Sequence, residues 1–237
     1  DYHTPGSKVE LKKLNADIEN ALKDLEETNS IALYHTIKYM QILYFELSEK
    51  YKNVRNTYES LYALIRINKA VHTNMKIGFY FMNIAFFEAS VFDFESCYDY
   101  FNKAKRYLKN SPTNIFIIEM HRYIAMLSDP DSKNRLPLLR SLNSLCINTK
   151  LATVFLSRLT FYNAVEQFLT GEFQESYFLS RTIQELEQDK EGWNVAIRVL
   201  NIMTQIELGN YELADSLTEN LRKHYERLIK TSFVHKR

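Results

Sequence analysis

Histidine and cysteine are the residue types best suited to bind metal ions or supply a nucleophile, and the chain has six histidines and two cysteines. Neither a His-Glu-x-x-His nor a Cys-x-x-Cys pattern occurs among them. Glu119 and His121, two residues apart, would point about 200° apart on a helix and could not act on one group. The sequence also lacks a glycine-rich phosphate loop and a Gly-x-Ser-x-Gly elbow. We therefore expect no metal, no cofactor, no catalytic residue and no enzymatic activity.

The composition favours a helical protein in a reducing compartment. Five glycines and four prolines in 237 residues are too few for collagen-like or turn-rich β structure. Cys97 and Cys146 cannot form a disulfide framework. Thirty basic and 29 acidic residues nearly balance, so charge favours neither nucleic acid nor an anionic membrane as partner. The longest apolar run, residues 77–87, is shorter than the roughly 20 residues of a membrane span. We expect a cytoplasmic protein that does not cross a membrane.

Apolar residues recur at helical spacing along almost the whole chain. Ser7 and Glu10 form a capping box before the first apolar stripe. Turn signals such as Ser111-Pro112, Gly171 and Gly209 separate later segments. The pattern predicts helices at residues 7–27, 31–47, 51–67, 74–90, 93–109, 112–128, 134–147, 150–170, 173–186, 191–208 and 211–230, and no strand.

Aromatic residues mark the start of the second helix in four of the predicted hairpins. They are Tyr51, Phe94, Phe173 and Tyr211, at intervals of 43, 79 and 38 residues. Because the middle interval is close to two repeats, a further start is expected near residue 133, where a turn cluster begins at Asp129. The sequence thus predicts an all-α fold of about five antiparallel helical hairpins after one N-terminal helix. One hairpin cannot bury its apolar face alone, so the hairpins are expected to stack as a superhelix.

The domain organisation follows from this repeat. We expect residues 1–6 to form a flexible lead-in and residues 7–237 to form one helical-repeat domain without a linker. Because the chain stops directly after a helical pattern, we also expect it to be a piece of a longer protein.

The hairpins resemble the tetratricopeptide family. The second hairpin carries the resemblance through Ile84-Ala85 in its first helix and Phe94, Cys97, Phe101 and Ala104 at the turn and second helix. Gly209-Asn210-Tyr211-Glu212-Leu213-Ala214 is similar to the family's turn, and Gly171-Glu172-Phe173 with Ser176 is a looser copy. The repeats here are longer than the family's, which has about 34 residues.

This resemblance implies a right-handed superhelix whose concave face, lined by the first helices of the hairpins, binds a helix or extended peptide of a partner protein. Family members that clamp peptide carboxylates use Lys, Asn and Arg on successive first helices, and here only Asn83 matches that set. Apolar residues occupy most of the other positions, so we expect affinity to come from apolar burial, with two arginines orienting the ligand. The candidate partner-binding residues are Phe79, Met82, Asn83, Phe86, Arg158, Tyr162 and Arg198.

Charge is distributed unevenly between the two ends of the chain. Residues 1–30 have a net charge of −3 and residues 222–237 a net charge of +5. A head-to-tail contact in a homo-oligomer could use this difference, although solvated helix faces and a favourable helix dipole also account for it.

Three alternative functions remain open at this stage. The chain could be the ligand-sensing or peptide-sensing domain of a larger regulatory protein, which would need an output domain elsewhere. Binding of single-stranded RNA would require a basic inner face, against which the near-neutral charge argues. An enzyme is the least favoured, since no catalytic pattern was found.

Overall fold

The computed structural model describes residues 8–69, 71–149, 153–183 and 192–234, and these residues form eleven helices and no strand. The Ser7 cap and the lead-in at residues 1–6 lie outside the described ranges. No helix within these ranges is long and apolar enough to cross a membrane. The helices are α1 Lys8–Thr28, α2 Ile31–Leu47, α3 Tyr51–Ile67, α4 Asn74–Ser90, α5 Phe94–Leu108, α6 Pro112–Ser128, α7 Arg135–Thr149, α8 Thr153–Leu169, α9 Phe173–Arg181, α10 Trp193–Glu207 and α11 Tyr211–Val234.

The all-α prediction is confirmed, and most helix ends fall within three residues of the predicted positions. The clearest difference is α9, which ends at Arg181 although the sequence predicted it to continue to residue 186. Thr182 is the residue that follows the last turn, and its N–H and its hydroxyl both donate to the Leu179 carbonyl, the hydroxyl at 2.7 Å. Residues 184–186 of the predicted helix lie outside the described ranges.

The chain divides into two compact units, residues 1–132 and 133–237. In the first unit, each of the helices α1 to α6 packs on the next, and α4 also contacts α6. In the second unit, each of the helices α7 to α11 packs on the next, and α8 also contacts α10. The predicted hairpins α2–α3, α4–α5, α8–α9 and α10–α11 are therefore present as packed pairs, whereas α6 and α7 belong to different units.

Helix α4 lies at the centre of the apolar core of the first unit. The core side chains of α3, α4 and α5 are Val54, Tyr58, Leu61, Ile65, Ile77, Tyr80, Phe81, Ile84, Ala85, Phe87, Cys97, Phe101, Ala104 and Leu108. Burying each large side chain contributes about 1.5–3 kcal/mol. The α4–α5 approach depends on Gly78, because a Cβ at that position would overlap the Leu108 side chain.

Four hairpin turns share one backbone geometry. In each, a residue with positive φ follows the first helix, and the next N–H bonds a carbonyl five residues back, as in a Schellman motif. For example, Asp93 N bonds Glu88 O and Asn210 N bonds Gln205 O, both at 2.9 Å. The positive-φ residues are Glu49, Phe92, Gly171 and Gly209. The predicted aromatic starts, Tyr51, Phe94, Phe173 and Tyr211, each follow two residues later.

Phe92 is strained at the position where two of the other turns have glycine. Its φ is 61°, whereas Gly171 and Gly209 have φ of 84° and 74°. A left-handed conformation costs an L-residue about 1–2 kcal/mol, and the exposed Phe92 ring recovers little of that cost. We expect Phe92→Gly to raise the free energy of unfolding by about 1 kcal/mol, measured by urea denaturation.

The reciprocal control is Gly209→Ala. Nothing lies near the Cβ it would add, so only the backbone strain is tested. It should lower stability by a similar amount, and equal stability of Phe92→Gly and the parent chain would contradict this account.

Candidate functional site

Helix α4 carries four of the candidate binding residues. It begins where the Thr73 hydroxyl accepts a hydrogen bond from the Lys76 N–H at 3.2 Å, which satisfies one unpaired donor of the first turn. Most of its side chains are core, but one side remains accessible. There Met75 is exposed and Phe79 and Met82 are half-buried. Because the three are spaced by four and three residues, they share one face. We call them the α4 stripe.

Asn83 lies close to a tyrosine on the neighbouring first helix. Its partner is Tyr39 in α2. Burial raises the pKa of Tyr39, and the hydrogen bond from Asn83 opposes this rise. The His35 ring packs edge-on against Tyr39 with a centroid distance of 5.0 Å. Burial lowers the pKa of His35, and the nearby charge of Lys76 lowers it further. Asn83 therefore lies beside the Tyr39 side chain of α2.

Phe86 lies between helices. Its ring is 5.7 Å from Phe101 in α5 and 4.4 Å from His121 in α6, measured between centroids. These contacts help to hold α4 against α5 and α6. Phe79, Met82 and Phe86 are all half-buried and packed against the core of the first unit. Phe86 also contacts α5 and α6, and Asn83 lies near Tyr39 of α2.

Two of the three candidate residues of the second unit lie beside the single tryptophan. The Arg158 guanidinium lies 5.7 Å from the Trp193 ring centroid, within the range of a cation–π interaction. The buried Tyr162 meets the same ring edge-on at 6.1 Å, and Phe161 lies 4.8 Å from it. Arg158 and Tyr162 in α8 are thus brought together by Trp193 in α10. Arg198 is a half-buried residue on α10.

Three buried glutamates on first helices are paired with a cation on the preceding helix. The pairs are Arg55 with Glu88, Lys105 with Glu119 and Arg135 with Glu166. Arg55 binds both oxygens of its partner, with Nη2 to Oε2 at 2.6 Å and Nε to Oε1 at 3.2 Å. Arg135 Nε donates to Glu166 Oε1 at 3.0 Å. These interhelix ion pairs join α3 to α4, α5 to α6 and α7 to α8, so they fix neighbouring hairpins in register.

Glu46 in α2 differs from these three glutamates. Burial raises the pKa of its carboxyl group to about 7, and its charge in turn helps to raise the pKa of Tyr58 in α3. At neutral pH the group is therefore partly protonated, and its charge changes with small changes of pH.

The candidate binding residues offer apolar side chains and a few polar groups for contact with a ligand. In the part of the chain that the structure describes, no three His, Cys, Asp or Glu side chains form a group that could hold a metal ion.

The sequence did not predict Met75, Tyr39 or Trp193 as residues of the candidate site. Met75 could have been found, because it continues the spacing of Phe79 and Met82 by one turn. Tyr39 and Trp193 lie far in sequence from the candidate residues that they contact. No local sequence pattern could therefore identify these contacts.

Comparisons with protein-family models, with curated proteins and with solved structures find no match for this chain, so the candidate function rests on its own residues.

Proposed function

We propose that this chain is a tetratricopeptide-like binding scaffold that holds a helix or peptide of a partner protein against its first helices. Two observations support the repeat. Four hairpin turns share one geometry, and two pairs of successive first helices are in contact, α4 with α6 and α8 with α10. In this proposal the hairpins stack as a right-handed superhelix.

The observation that carries the binding proposal is the α4 stripe. Met75 is exposed, and Phe79 and Met82 pack against the core but keep part of their surface accessible. Methionines adapt their shape to a partner surface, and aromatic side chains contribute large contact areas. An amphipathic helix laid across this face would cover all three side chains.

The second unit carries the other proposed partner-binding residues. Arg158 and Arg198 are the cations that would orient an acidic residue or carboxylate of the partner, and Tyr162 supports Arg158 through Trp193. The partner is thus a protein or peptide; metal, cofactor, nucleic acid and membrane play no part in the proposal. The two buried free thiols, Cys97 and Cys146, favour a reducing compartment such as the cytoplasm.

The proposal is tested by affinity capture from source lysate with the 237-residue chain and two matched variants. Met75 in α4 and Phe178 in α9 are similarly exposed, at 60% and 64%, so each tolerates lysine without loss of packing. We expect the parent chain and Phe178→Lys to retain the same protein at high salt. Met75→Lys should bind it at least about tenfold more weakly, a loss of about 1.4 kcal/mol.

Two outcomes would contradict the proposal. If Met75→Lys retained the same protein as strongly as Phe178→Lys did, binding would not use the α4 stripe. If the parent chain retained no protein but carried a small molecule in native mass spectrometry, the ligand-sensing function would replace the scaffold.

A further inference from the structure

The first helices of the first unit, α2, α4 and α6, present no exposed acidic residue. Each helix has one glutamate: Glu46 in α2, Glu88 in α4 and Glu119 in α6. Glu88 and Glu119 are each 4% exposed and paired with a cation of the preceding second helix. Glu46 is half-buried, and burial raises the pKa of its carboxyl group to about 7. Negative charge on these three helices is therefore buried, paired or partly neutralised by a proton.

Lys76 borders the α4 stripe on the side that faces α2. It directly follows Met75 and stands three residues before Phe79. This spacing places it about 60–100° around the helix from both side chains. Burial and then the charge of Lys76 lower the pKa of His35 in α2, so the ammonium group and the imidazole ring are close together.

Asn83 continues the same side of α4. It stands seven residues after Lys76, which is about two helical turns, and it lies beside Tyr39 of α2. We call Lys76 and Asn83, together with His35 and Tyr39 on α2, the polar edge. The polar edge thus follows the α4 stripe along its border with α2.

The polar edge contains hydrogen-bond donors and no carboxylate. Lys76 is half-buried and forms no ion pair with any residue that the structure describes. The buried Nε2 atom of His35 has no hydrogen-bond partner among the same residues. Lys38, one turn after His35, is a second half-buried lysine without an ion pair, and its ammonium group lies 5.1 Å from the centroid of the Tyr34 ring. A carboxylate placed here would meet cations and donors only.

We propose that the partner helix bound along the α4 stripe is acidic, with aspartate or glutamate beside its apolar anchors and against the polar edge. This inference rests on the proposed function and names the chemistry of the partner. Charge complementarity selects this occupant, because a basic helix would bring its cations against Lys76 and Lys38. Apolar contact then supplies affinity, and the carboxylates determine which helix is accepted.

The test selects binders of the 237-residue chain from a displayed library of helical peptides. Apolar anchors at positions i, i+3, i+4 and i+7 are fixed as leucine, and the positions beside them vary among Glu, Gln and Lys. We expect Glu to be enriched over Lys at these positions by at least about tenfold. The most enriched Glu-rich peptide is then synthesised with a fluorescent label, and its dissociation constant is measured by fluorescence anisotropy.

Lys76→Glu and Lys52→Glu are the matched variants, because each reverses one lysine that has no ion pair among the described residues. Lys52 lies at the other end of the α3–α4 pair, since its neighbour Tyr51 contacts Phe87 with a centroid distance of 6.2 Å. Lys76→Glu puts an acid in the first turn of α4, where the helix dipole favours it. It should bind the Glu-rich peptide at least about tenfold more weakly, whereas Lys52→Glu should stay within about twofold of the parent chain.

The acidic partner is overturned if Glu and Lys are enriched equally, if no peptide binds, or if Lys76→Glu and Lys52→Glu bind the Glu-rich peptide alike. It is also overturned if an RNA oligonucleotide binds the parent chain as tightly as the peptide and loses that binding in Lys76→Glu. The polar edge would then select negative charge on a nucleic acid.

Met75→Lys separates this inference from the proposed function. Binders that are lost in Met75→Lys but show no preference for Glu contradict only the acidic partner. Binders that Met75→Lys retains contradict docking along the α4 stripe, and the acidic partner with it. Circular dichroism verifies that all variants are folded.

Discussion

Replacing Arg55 by alanine is expected to lower the free energy of unfolding by about 3 kcal/mol. The variant leaves the Glu88 carboxylate, whose side chain is only 5% exposed, without the cation that binds both of its oxygens. Breaking a buried ion pair typically costs about 3–5 kcal/mol, and the lower end applies because Arg55 itself is half-exposed. Urea denaturation followed by far-UV circular dichroism measures the change.

Arg66→Ala is the matched control on the same helix. Arg66 is an exposed residue of α3 that lies over the Tyr62 ring, and its loss should cost less than about 1 kcal/mol. Replacing both Arg55 and Glu88 by methionine should restore much of the stability, since no unpaired buried charge then remains. A loss below about 1 kcal/mol for Arg55→Ala would show that the interhelix ion pairs do not hold neighbouring hairpins together.

Glu46→Gln is expected to stabilise the protein by about 2 kcal/mol near pH 8 and to leave it unchanged near pH 4.5. The folded protein keeps the Glu46 proton up to a pKa of about 7, whereas the unfolded chain releases it near the ordinary value of 4.5. Between these values unfolding releases a proton, so the free energy of unfolding falls as pH rises. The full difference would be about 3 kcal/mol, and partial exposure of Glu46 reduces it.

The measurement is urea denaturation of the parent chain and the variant at both pH values. Glu59→Gln in α3 is the control, because Glu59 is exposed and its replacement should change stability little at either pH. If the difference between Glu46→Gln and the parent chain were the same at both pH values, burial of the Glu46 carboxyl group would not raise its pKa as described.

The sequence predicted the helices best where local signals were strong. The starts of α2, α4 and α6 agree with the structure because Ser30, Thr73 and Ser111 each cap the helix that follows with a side-chain hydrogen bond. The end of α9 differs from the prediction, since no glycine or proline directly follows Arg181 to mark it in the sequence.

The candidate site could be predicted only in part. Phe79 and Met82 were found because helical spacing alone places them on one face. The partners of Asn83 and Phe86 could not be found, since Tyr39 and His121 lie on other helices. The interhelix ion pairs could not be predicted for the same reason. The sequence around a glutamate in an apolar stripe does not identify the cation on another helix that pairs with it.

The most direct test of partner binding through the α4 stripe is site-specific photocrosslinking in source lysate. A photoreactive phenylalanine analogue is placed at position 75 in the stripe or, as the control, at position 178 on α9. The account predicts one discrete crosslinked protein from position 75 and none from position 178. A crosslink to the same protein from position 178, with none from position 75, would contradict it.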